Sequence, residues 1–274
     1  MKRAPQRDTR PQRKESSKRS ASEAPTLDIV YGFRSALALC EKRPDDIDSL
    51  LVTRERAEDV EDLLAWAEGQ EIPFEIVDAH DLRSEIGTET HEGILVRARP
   101  RTWLTPNAFG ESLVKSKGIA LALDRVRNPY NIGAILRTAA FFGVQGVLLG
   151  APAPHPGLPN DAIRVAEGGA EHLAFARTTD LAESLRRLRS LGVQVVAGDT
   201  EGEGVHDATT FAFGRPVVLV VGNEREGLSD RVLDSCDARI AIGGTGAMES
   251  LNVSVATSIL IAAMARTSKA PRAS

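Results

Sequence analysis

The sequence predicts an α/β protein built on a parallel sheet that helices cover on both faces. Three short segments are apolar throughout, as expected of strands buried on both sides. They are "GIALALD" (118–124), "GVLLG" (146–150) and "PVVLVVG" (216–222). Stretches with helical spacing separate these segments, which is typical of the crossover connections that parallel strands need. The length of 274 residues fits one large domain or two medium ones.

Residues 1–25 are polar, lack hydrophobic periodicity and are predicted to be a disordered basic tail. The first twenty residues hold eight Lys/Arg and two Asp/Glu, a net charge of +6, whereas the rest of the chain has a net charge of −10. Such a basic arm commonly binds polyanions, but a merely solubilising tail fits the charge equally well. No apolar run follows the basic residues, and no stretch approaches the ~18 apolar residues that span a bilayer. We therefore expect a cytoplasmic protein.

The two cysteines, Cys40 and Cys236, are far apart and match no paired-ligand spacing. Neither a metal site nor a disulfide framework is predicted. Both residues are interpreted as ordinary small apolar side chains in a reducing compartment.

A small α/β unit is predicted over residues 26–99. Strands are expected at "SLLVTR" (49–54), "FEIVDA" (74–79) and "GILVRAR" (93–99), with an amphipathic helix at "EDVEDLLAWAEGQ" (58–70). Residues 99–117 carry Pro100 and Pro106 and show no clear period. A linker is therefore predicted at 100–115.

The remainder of the chain alternates strand and helix signals. A helix is expected from Asn131 to about Phe142, another at "LAESLRRLRSLG" (181–192), a short one at "GLSDRVLDSC" (227–236), and a last one from about Ser250 to Arg266. Further strands are predicted at "VQVVAG" (193–198) and within "ARIAIGG" (238–244). Ligands of such sheets gather at the loops that leave the carboxyl ends of the strands. Four loops are candidates: 124–139, 198–204, 222–229 and 242–252.

These loops match neither of the familiar nucleotide-binding patterns. The segment "GGTGAMES" (243–250) lacks the Gly-Lys-Ser/Thr ending of a P-loop, and no G-x-G-x-x-G follows the first strand of the large unit. A P-loop kinase and a Rossmann dehydrogenase are therefore disfavoured.

Arg137 is the candidate cation of the first loop and helix. Asn131 is expected to cap this helix, and Arg137 lies roughly opposite the centre of its apolar face. Its neighbours along the helix surface are small or apolar, so the guanidinium needs a carboxylate of the protein or a phosphate of a ligand. A structural ion pair is the alternative interpretation.

Polar residues at two later loops complete the candidate site. Glu224 directly follows an apolar strand, where it can pair with Arg137, orient a ligand hydroxyl or cap the next helix. Gly222 and Gly227 flank it and permit close backbone approach or positive φ. Ser250 and Asn252 fit the start of the last helix. Because they follow "GGTGA" (243–247), we interpret that start as the polar mouth of a site and the rest of the helix as buried packing.

Together these blocks resemble the three signature motifs of the SpoU (TrmH) family of RNA ribose 2′-O-methyltransferases, in the SPOUT superfamily. The blocks are "NPYNIGAILRTA" (128–139), "VVLVVGNEREGLS" (217–229) and "IAIGGTGAMESLNVSVATSILI" (240–261), in the family's order. The segment "AIRVAEGGAEHL" (162–173) is similar to the one usually found between the first two motifs. Residues 27–98, with "YGFRSAL" (31–37) and "THEGILV" (90–96), resemble the L30e-like RNA-binding domain of many members.

The resemblance implies a SpoU methyltransferase domain over 116–274, a parallel α/β sheet whose C-terminal segment forms a deep trefoil knot. It implies S-adenosylmethionine as cofactor, a homodimer, and RNA as partner. The catalytic candidates that it implies are Asn131, Arg137, Glu224, Ser250 and Asn252. Gly222, Ile242 and Leu251 are expected to contact the cofactor, mainly through their backbone, and "GDTEGEG" (198–204) to close over it.

Two departures from the family pattern concern the first and third motifs. Asn128 stands where Asp often precedes the proline, and Gly243-Gly244 stand where Pro-Met usually follows the isoleucine. A more flexible loop at Gly243-Gly244 could weaken binding of the methyl donor.

The expected reaction is methylation of a ribose 2′-hydroxyl in structured RNA, first of all ribosomal RNA, with transfer RNA as the next substrate. An arginine resists deprotonation, so Arg137 is interpreted as a phosphate clamp that stabilises developing alkoxide charge instead of a base. Glu224 and Asn131 are expected to hold its guanidinium. The alternatives are a non-catalytic RNA-binding protein of the same fold and an α/β enzyme that acts on a small molecule.

Overall fold

Two β-sheets organise the part of the chain that the computed structural model describes, residues 27–152, 156–199, 204–223 and 225–267. The predicted basic tail, residues 1–25, lies outside these residues. Among the helices of the described residues, none combines the length and the apolarity that crossing a bilayer requires.

The N-terminal sheet has four strands in the order β1-β4-β2-β3. They are β1 (Asp28–Tyr31), β2 (Ile47–Thr53), β3 (Phe74–Val77) and β4 (Ile94–Ala98). β4 pairs antiparallel with β1 and β2, and β2 pairs parallel with β3. The helices of this unit are α1 (Phe33–Lys42), α2 (Arg54–Ala57), α3 (Glu61–Gly69) and α4 (Ala79–Ile86). The predicted strands β2, β3 and β4 are confirmed, whereas β1, α1 and α4 were not predicted.

Helix α5 (Pro106–Ser116) lies in most of the segment predicted as a linker, where the sequence shows no clear helical period. Thr105 caps the helix by accepting a hydrogen bond from the Ala108 amide at 3.2 Å. Pro106 occupies the first helical position, where its missing N–H costs nothing and its fixed φ favours the helix. Phe109 and Leu113 lie on the buried face of this helix. The proline was interpreted as an interruption, but it begins the helix.

The second sheet has seven strands in the order β7-β6-β5-β10-β8-β11-β9, and each of its ladders is parallel. The strands are β5 (Ile119–Asp124), β6 (Gly146–Gly150), β7 (Ala174–Thr178), β8 (Gln194–Gly198), β9 (Val205–Asp207), β10 (Val217–Val221) and β11 (Ala238–Ala241). The predicted parallel α/β sheet is confirmed. The edge strands β7 and β9 were not predicted.

Helices cover both faces of this sheet, as predicted. They are α6 (Pro129–Phe141), α7 (Asn160–Val165), α8 (Leu181–Ser190), α9 (Asp230–Leu233) and α10 (Val253–Thr267), together with α5. Alternate residues of β5 show the two faces. Leu121 belongs to the core that contains residues of α6 and α10, whereas Ala122 belongs to the core under α5 and α8.

The two sheets are joined where β1 and α1 pack against the region of α7, and polar contacts cross this interface beside apolar ones. The Tyr31 hydroxyl donates to Asp161 Oδ1 at 2.7 Å, and the Ser35 hydroxyl donates to the Ile163 carbonyl at 2.9 Å. Burial, together with the bond to Asp161, raises the pKa of Tyr31 to about 12. These buried bonds hold the N-terminal unit against the parallel-sheet unit.

The most deeply buried charge of this interface is Glu171. Its side chain is fully buried and contacts the guanidinium of Arg101 and, at 3.6 Å, that of Arg43. Arg101 precedes α5 and Arg43 follows α1, so one carboxylate ties together three parts of the chain.

We expect Glu171→Gln to lower the free energy of unfolding by about 3 kcal/mol, because it leaves the largely buried guanidinium of Arg101 without its counter-charge and removes one of the two carboxylates that face Arg43. Urea titration followed by circular dichroism measures the change. Glu183→Gln is the matched control, since Glu183 pairs with Arg186 at 2.7 Å but is 59% exposed. The control should cost less than about 1 kcal/mol. Equal losses in the two variants would show that the buried charge has no special role.

Candidate functional site

The order of four neighbouring strands brings the predicted loops to one edge of the parallel sheet. β5, β10, β8 and β11 are consecutive and parallel, so their carboxyl ends lie side by side. The chain leaves these ends at residues 125, 222, 199 and 242 respectively. The loops of all three motif blocks therefore lie at the same edge, with the loop after β8 between the second and the third.

The capping residue of helix α6 differs from the prediction. Asn128, not Asn131, caps the helix, and its side chain accepts a hydrogen bond from the Tyr130 amide at 2.9 Å. Pro129 then takes the first helical position. Asn131 lies inside the first turn and is only 9% exposed. Its position frees its side chain from capping and directs it to another element.

Asn131 contacts the third motif. Its Oδ1 accepts a hydrogen bond from Asn252 Nδ2 at 3.2 Å. Asn252 in turn accepts a bond from the Ser254 amide at 2.8 Å and so caps helix α10. This chain of hydrogen bonds joins the starts of α6 and α10, two segments that are 121 residues apart in sequence.

The third loop is exposed to solvent, and the helix that follows it begins later than predicted. Residues 243–252 are exposed, among them Ser250 and Leu251, and α10 starts at Val253 instead of near Ser250. Ile242 is partly buried at the base of the loop. The prediction that α10 is buried packing is wrong for one face, because Val255 is 48% exposed and Ile259 38%.

Gly222 allows the second loop to fold back on itself. A Cβ atom at this position would lie 2.4 Å from the carbonyl carbon of Gly227, far closer than packing permits. The Gly227 amide also donates to the Asn223 carbonyl at 2.9 Å. Glu224 lies outside the described residues, as do residues 200–203 of the loop after β8.

Arg137 lies on the exposed side of α6, with 54% of its side chain accessible. Its guanidinium Nη1 donates to Glu167 Oε1 at 2.7 Å. The expected anionic partner is thus a carboxylate of the protein. Glu167 belongs to the segment 162–173 but was not singled out in the sequence, because nothing in its local pattern marks it as Arg137's partner.

Arg125 also escaped the sequence analysis, although it connects the first two loops. Its guanidinium donates to both carboxylate oxygens of Asp124, at 3.2 and 3.1 Å, and to the Gly227 carbonyl at 3.2 Å, and it pairs with Glu226. The Arg125 carbonyl accepts from Asn223 Nδ2 at 3.1 Å. The hydrogen bonds to Asp124 raise the pKa of the guanidinium above its ordinary value. A buried acid at the end of an apolar strand was the signal that could have indicated it.

The cysteines offer no reactive group. Burial raises the pKa of both Cys40 and Cys236 to about 12, which suppresses the thiolate. The part of the chain that the structure describes contains no group of three or more His, Cys, Asp or Glu side chains arranged to hold a metal ion.

We expect Arg125→Gln to lower the free energy of unfolding by about 2 kcal/mol, because the Asp124 carboxylate is left buried without its cation. Urea unfolding measures the loss. Arg127→Gln is the matched control, two residues along the same loop and exposed. The idea that Arg125 secures the loops would be contradicted by equal stability of the two variants.

Two family models match the chain, one for each sheet. The model described as the SpoU rRNA Methylase family matches residues 118–262. The model described as RNA 2′-O ribose methyltransferase substrate binding matches residues 29–104.

Known proteins of the same kind match over most of their length. The chain is 33% identical over 241 residues to the uncharacterized tRNA/rRNA methyltransferase YfiF of Escherichia coli O157:H7, covering 88% of this chain and 68% of the relative. It is 34% identical to the 23S rRNA (guanosine-2′-O-)-methyltransferase RlmB of Pseudomonas aeruginosa, covering 85% and 93%. The AdoMet-bound rRNA methyltransferase structure from Sinorhizobium meliloti superposes with a TM-score of 0.72 at 24% identity, covering 89% and 88%. The predicted family is confirmed: this chain belongs to the SpoU rRNA methylase family.

Proposed function

We propose that this chain transfers a methyl group from S-adenosylmethionine to a ribose 2′-hydroxyl of RNA. The observation that carries the proposal is the meeting of the motif blocks at one sheet edge, with Asn131 bonded to Asn252, in a chain of this family. Ribosomal RNA is the proposed substrate, because the Pseudomonas relative is named for 23S rRNA. Transfer RNA is the second choice, since the Escherichia relative is named for both RNAs. We place the reaction in the cytoplasm, where these RNAs are.

The N-terminal unit is proposed to hold the RNA. The family model that matches residues 29–104 describes substrate binding. We assign it to the L30e-like class and keep 26–99 as its predicted bounds, with 100–115 connecting it to the methyltransferase domain at 116–274. A 2′-hydroxyl and splayed-out loop nucleotides are the features by which proteins recognise such RNA.

The sheet edge around Gly222, Ile242 and Leu251 fits the methyl donor. The second loop folds back tightly at Gly222, and the third loop exposes residues 243–252, where a Cβ atom at Gly246 would meet no atom of a more distant residue within 4 Å. Loops of this kind present backbone amides and carbonyls to a polar ligand. The donor supplies a methyl group already activated by its sulfonium, so these residues need only bind and orient it. The Gly243-Gly244 pair, which stands where the family usually has Pro-Met, is proposed to weaken binding of the donor.

The side chains are proposed to align the ribose with the donor and to stabilise the charge that develops on the 2′-oxygen. Arg137 is charged and half-exposed, so it can reach an RNA phosphate and stabilise the negative charge that develops on the 2′-oxygen as its proton passes to water. Asn131 and Asn252 offer an amide pair at the mouth of α10, with Ser250 beside it, to orient the ribose. Glu224 keeps the role expected from its motif, as a second partner of the guanidinium.

A homodimer is proposed because two neighbouring helices share an exposed apolar face. α6 and α10 are joined by a hydrogen bond of 3.1 Å between the hydroxyls of Thr138 and Ser258. The large apolar residues exposed on or beside these helices are Tyr130, Phe141, Phe142, Met248, Leu251, Val255 and Ile259. Exposed apolar patches of this kind mark association surfaces. The family's trefoil knot is proposed as well, supported by the insertion of β10 between β5 and β8.

Wild-type protein should transfer tritium from labelled S-adenosylmethionine to ribosomal RNA, and mapping of 2′-O-methyl groups locates the product. Arg137→Lys should lower kcat by about 100-fold, because an ammonium lacks the planar fork that holds a phosphate. Arg187→Lys on α8 is the control and should stay near the wild-type rate. An RNA-binding protein without activity would bind the RNA yet transfer no label, and that result would overturn the proposal.

The Val255→Asp variant should be monomeric, because a charge in the centre of an apolar interface is costly to bury. Light scattering should give the mass of two 29.4-kDa chains for the wild type and of one for the variant. Ile76→Asp is the control, since Ile76 is 40% exposed on the other sheet. A monomeric wild type at micromolar concentration would contradict the dimer.

A further inference from the structure

The segment Glu167, Gly168, Gly169 passes between a helix of the N-terminal unit and the helix that carries Arg137. A Cβ atom at Gly168 would lie 2.7 Å from the Ala38 Cβ of α1, and one at Gly169 would lie 3.0 Å from the Cα of Arg137 on α6. Gly168 has a φ of +85°, which suits glycine. The two glycines thus let the chain contact both helices at backbone distance.

Glu167 is the first residue of this segment, and its two carboxylate oxygens bind one residue on each helix. Its Oε2 accepts from Arg34 Nη1 at 2.6 Å, and its Oε1 accepts from Arg137 Nη1 at 2.7 Å. Arg34 is on α1. Within the described parts of the chain, each of these guanidinium groups forms its ion pair with Glu167.

We propose that Glu167 is a positioning residue for Arg137, and that it couples this guanidinium to the N-terminal unit through Arg34. The inference rests on the proposed function, in which Arg137 holds a phosphate. It adds the residue that orients the clamp and makes the RNA-binding unit part of the methyltransferase site.

The physical reason is the long, exposed side chain of Arg137. A free arginine samples many rotamers, and a misplacement of about 1 Å can cost about 100-fold in rate. The charge-assisted bond to Glu167 restricts the guanidinium, and the second bond to Arg34 restricts Glu167 itself. An exposed ion pair contributes little to stability, so its removal should change geometry without unfolding the chain.

The competing role for Glu167 is electrostatic obstruction. A carboxylate on Arg137 occupies donors that a phosphate would use, so it could oppose RNA binding instead of preparing the site. The two roles differ in kinetics. Loss of positioning lowers kcat at constant KM for RNA, whereas loss of obstruction lowers KM.

Steady-state methyl transfer to RNA should be measured for the wild type, Glu167→Gln, Glu167→Asp and Arg34→Gln. We expect Glu167→Gln to lower kcat about 10-fold with KM for RNA within about twofold. Glu167→Asp keeps the charge and should restore at least half of the lost factor on a logarithmic scale. Arg34→Gln should lower kcat about threefold, and the double variant with Glu167→Gln should be no slower than Glu167→Gln alone, because the two act through one contact.

The control is Glu183→Gln, which removes another exposed glutamate–arginine pair, on α8. It should leave kcat and KM unchanged. A fall in KM without a fall in kcat for Glu167→Gln would overturn positioning in favour of obstruction. Unchanged kinetics would reduce the contact to a surface ion pair, and additive effects of the two substitutions would refute the coupling.

A readout without substrate separates this proposal from the proposed function. In protein labelled with nitrogen-15 arginine, the Nε–H resonance of Arg137 should shift in Glu167→Gln and, to a smaller extent, in Arg34→Gln, but not in Glu183→Gln. A wild-type protein that transfers no methyl group would refute the proposed function. These shifts would still test whether Glu167 connects Arg137 to Arg34. Absence of a shift in Arg34→Gln would refute the coupling whatever the activity.

Discussion

The insertion of β10 between β5 and β8 is the constraint on which the site depends. A parallel strand at that place sends its carboxyl end to the same edge as its neighbours, so the loop at Gly222 emerges beside the loop that leads to α6. All five residues of β10 are buried, and the register with both neighbours is regular. The loops can therefore be open and polar, because the strands beneath them are held by apolar packing that does not involve the loops.

Side chains then tie the loops to one another in pairs. Asn131 and Asn252 join the first motif to the third, and Arg125 joins the first loop to the second. These contacts differ in strength, because Arg125 neutralises a buried carboxylate whereas the amide pair is neutral and only partly buried. The arrangement gives a firm connection beneath the first two loops and a looser one at the third, where the donor is proposed to enter.

The sequence predicts the centre of this structure better than its margins. Strands buried on both faces, such as β5 and β10, are continuous apolar runs, whereas the edge strand β7 exposes Ala174 and Arg177 and gives no such signal. The sequence was ambiguous where one residue type is compatible with two local structures. Pro106 suggested a linker but begins α5, and Asn131 suggested a cap although Asn128 lies one residue before the first helical proline. The partners of Arg137 and Arg125 depend on tertiary contacts, which no local pattern in one sequence encodes.

As the proposed phosphate clamp, Arg137 must meet two requirements that oppose each other. It must be exposed to receive a phosphate, and it must be ordered to hold that phosphate beside a reacting hydroxyl. Burial would order Arg137 but close it to RNA, so the order has to come from a neighbour that leaves the guanidinium fork partly free. Glu167 meets this condition, because one of its oxygens engages one nitrogen of Arg137 while 54% of that side chain stays accessible. Since the other oxygen is held from α1, the order of the clamp depends on the docking of the N-terminal unit. Under this proposal, the N-terminal unit contributes to chemistry as well as to affinity for RNA.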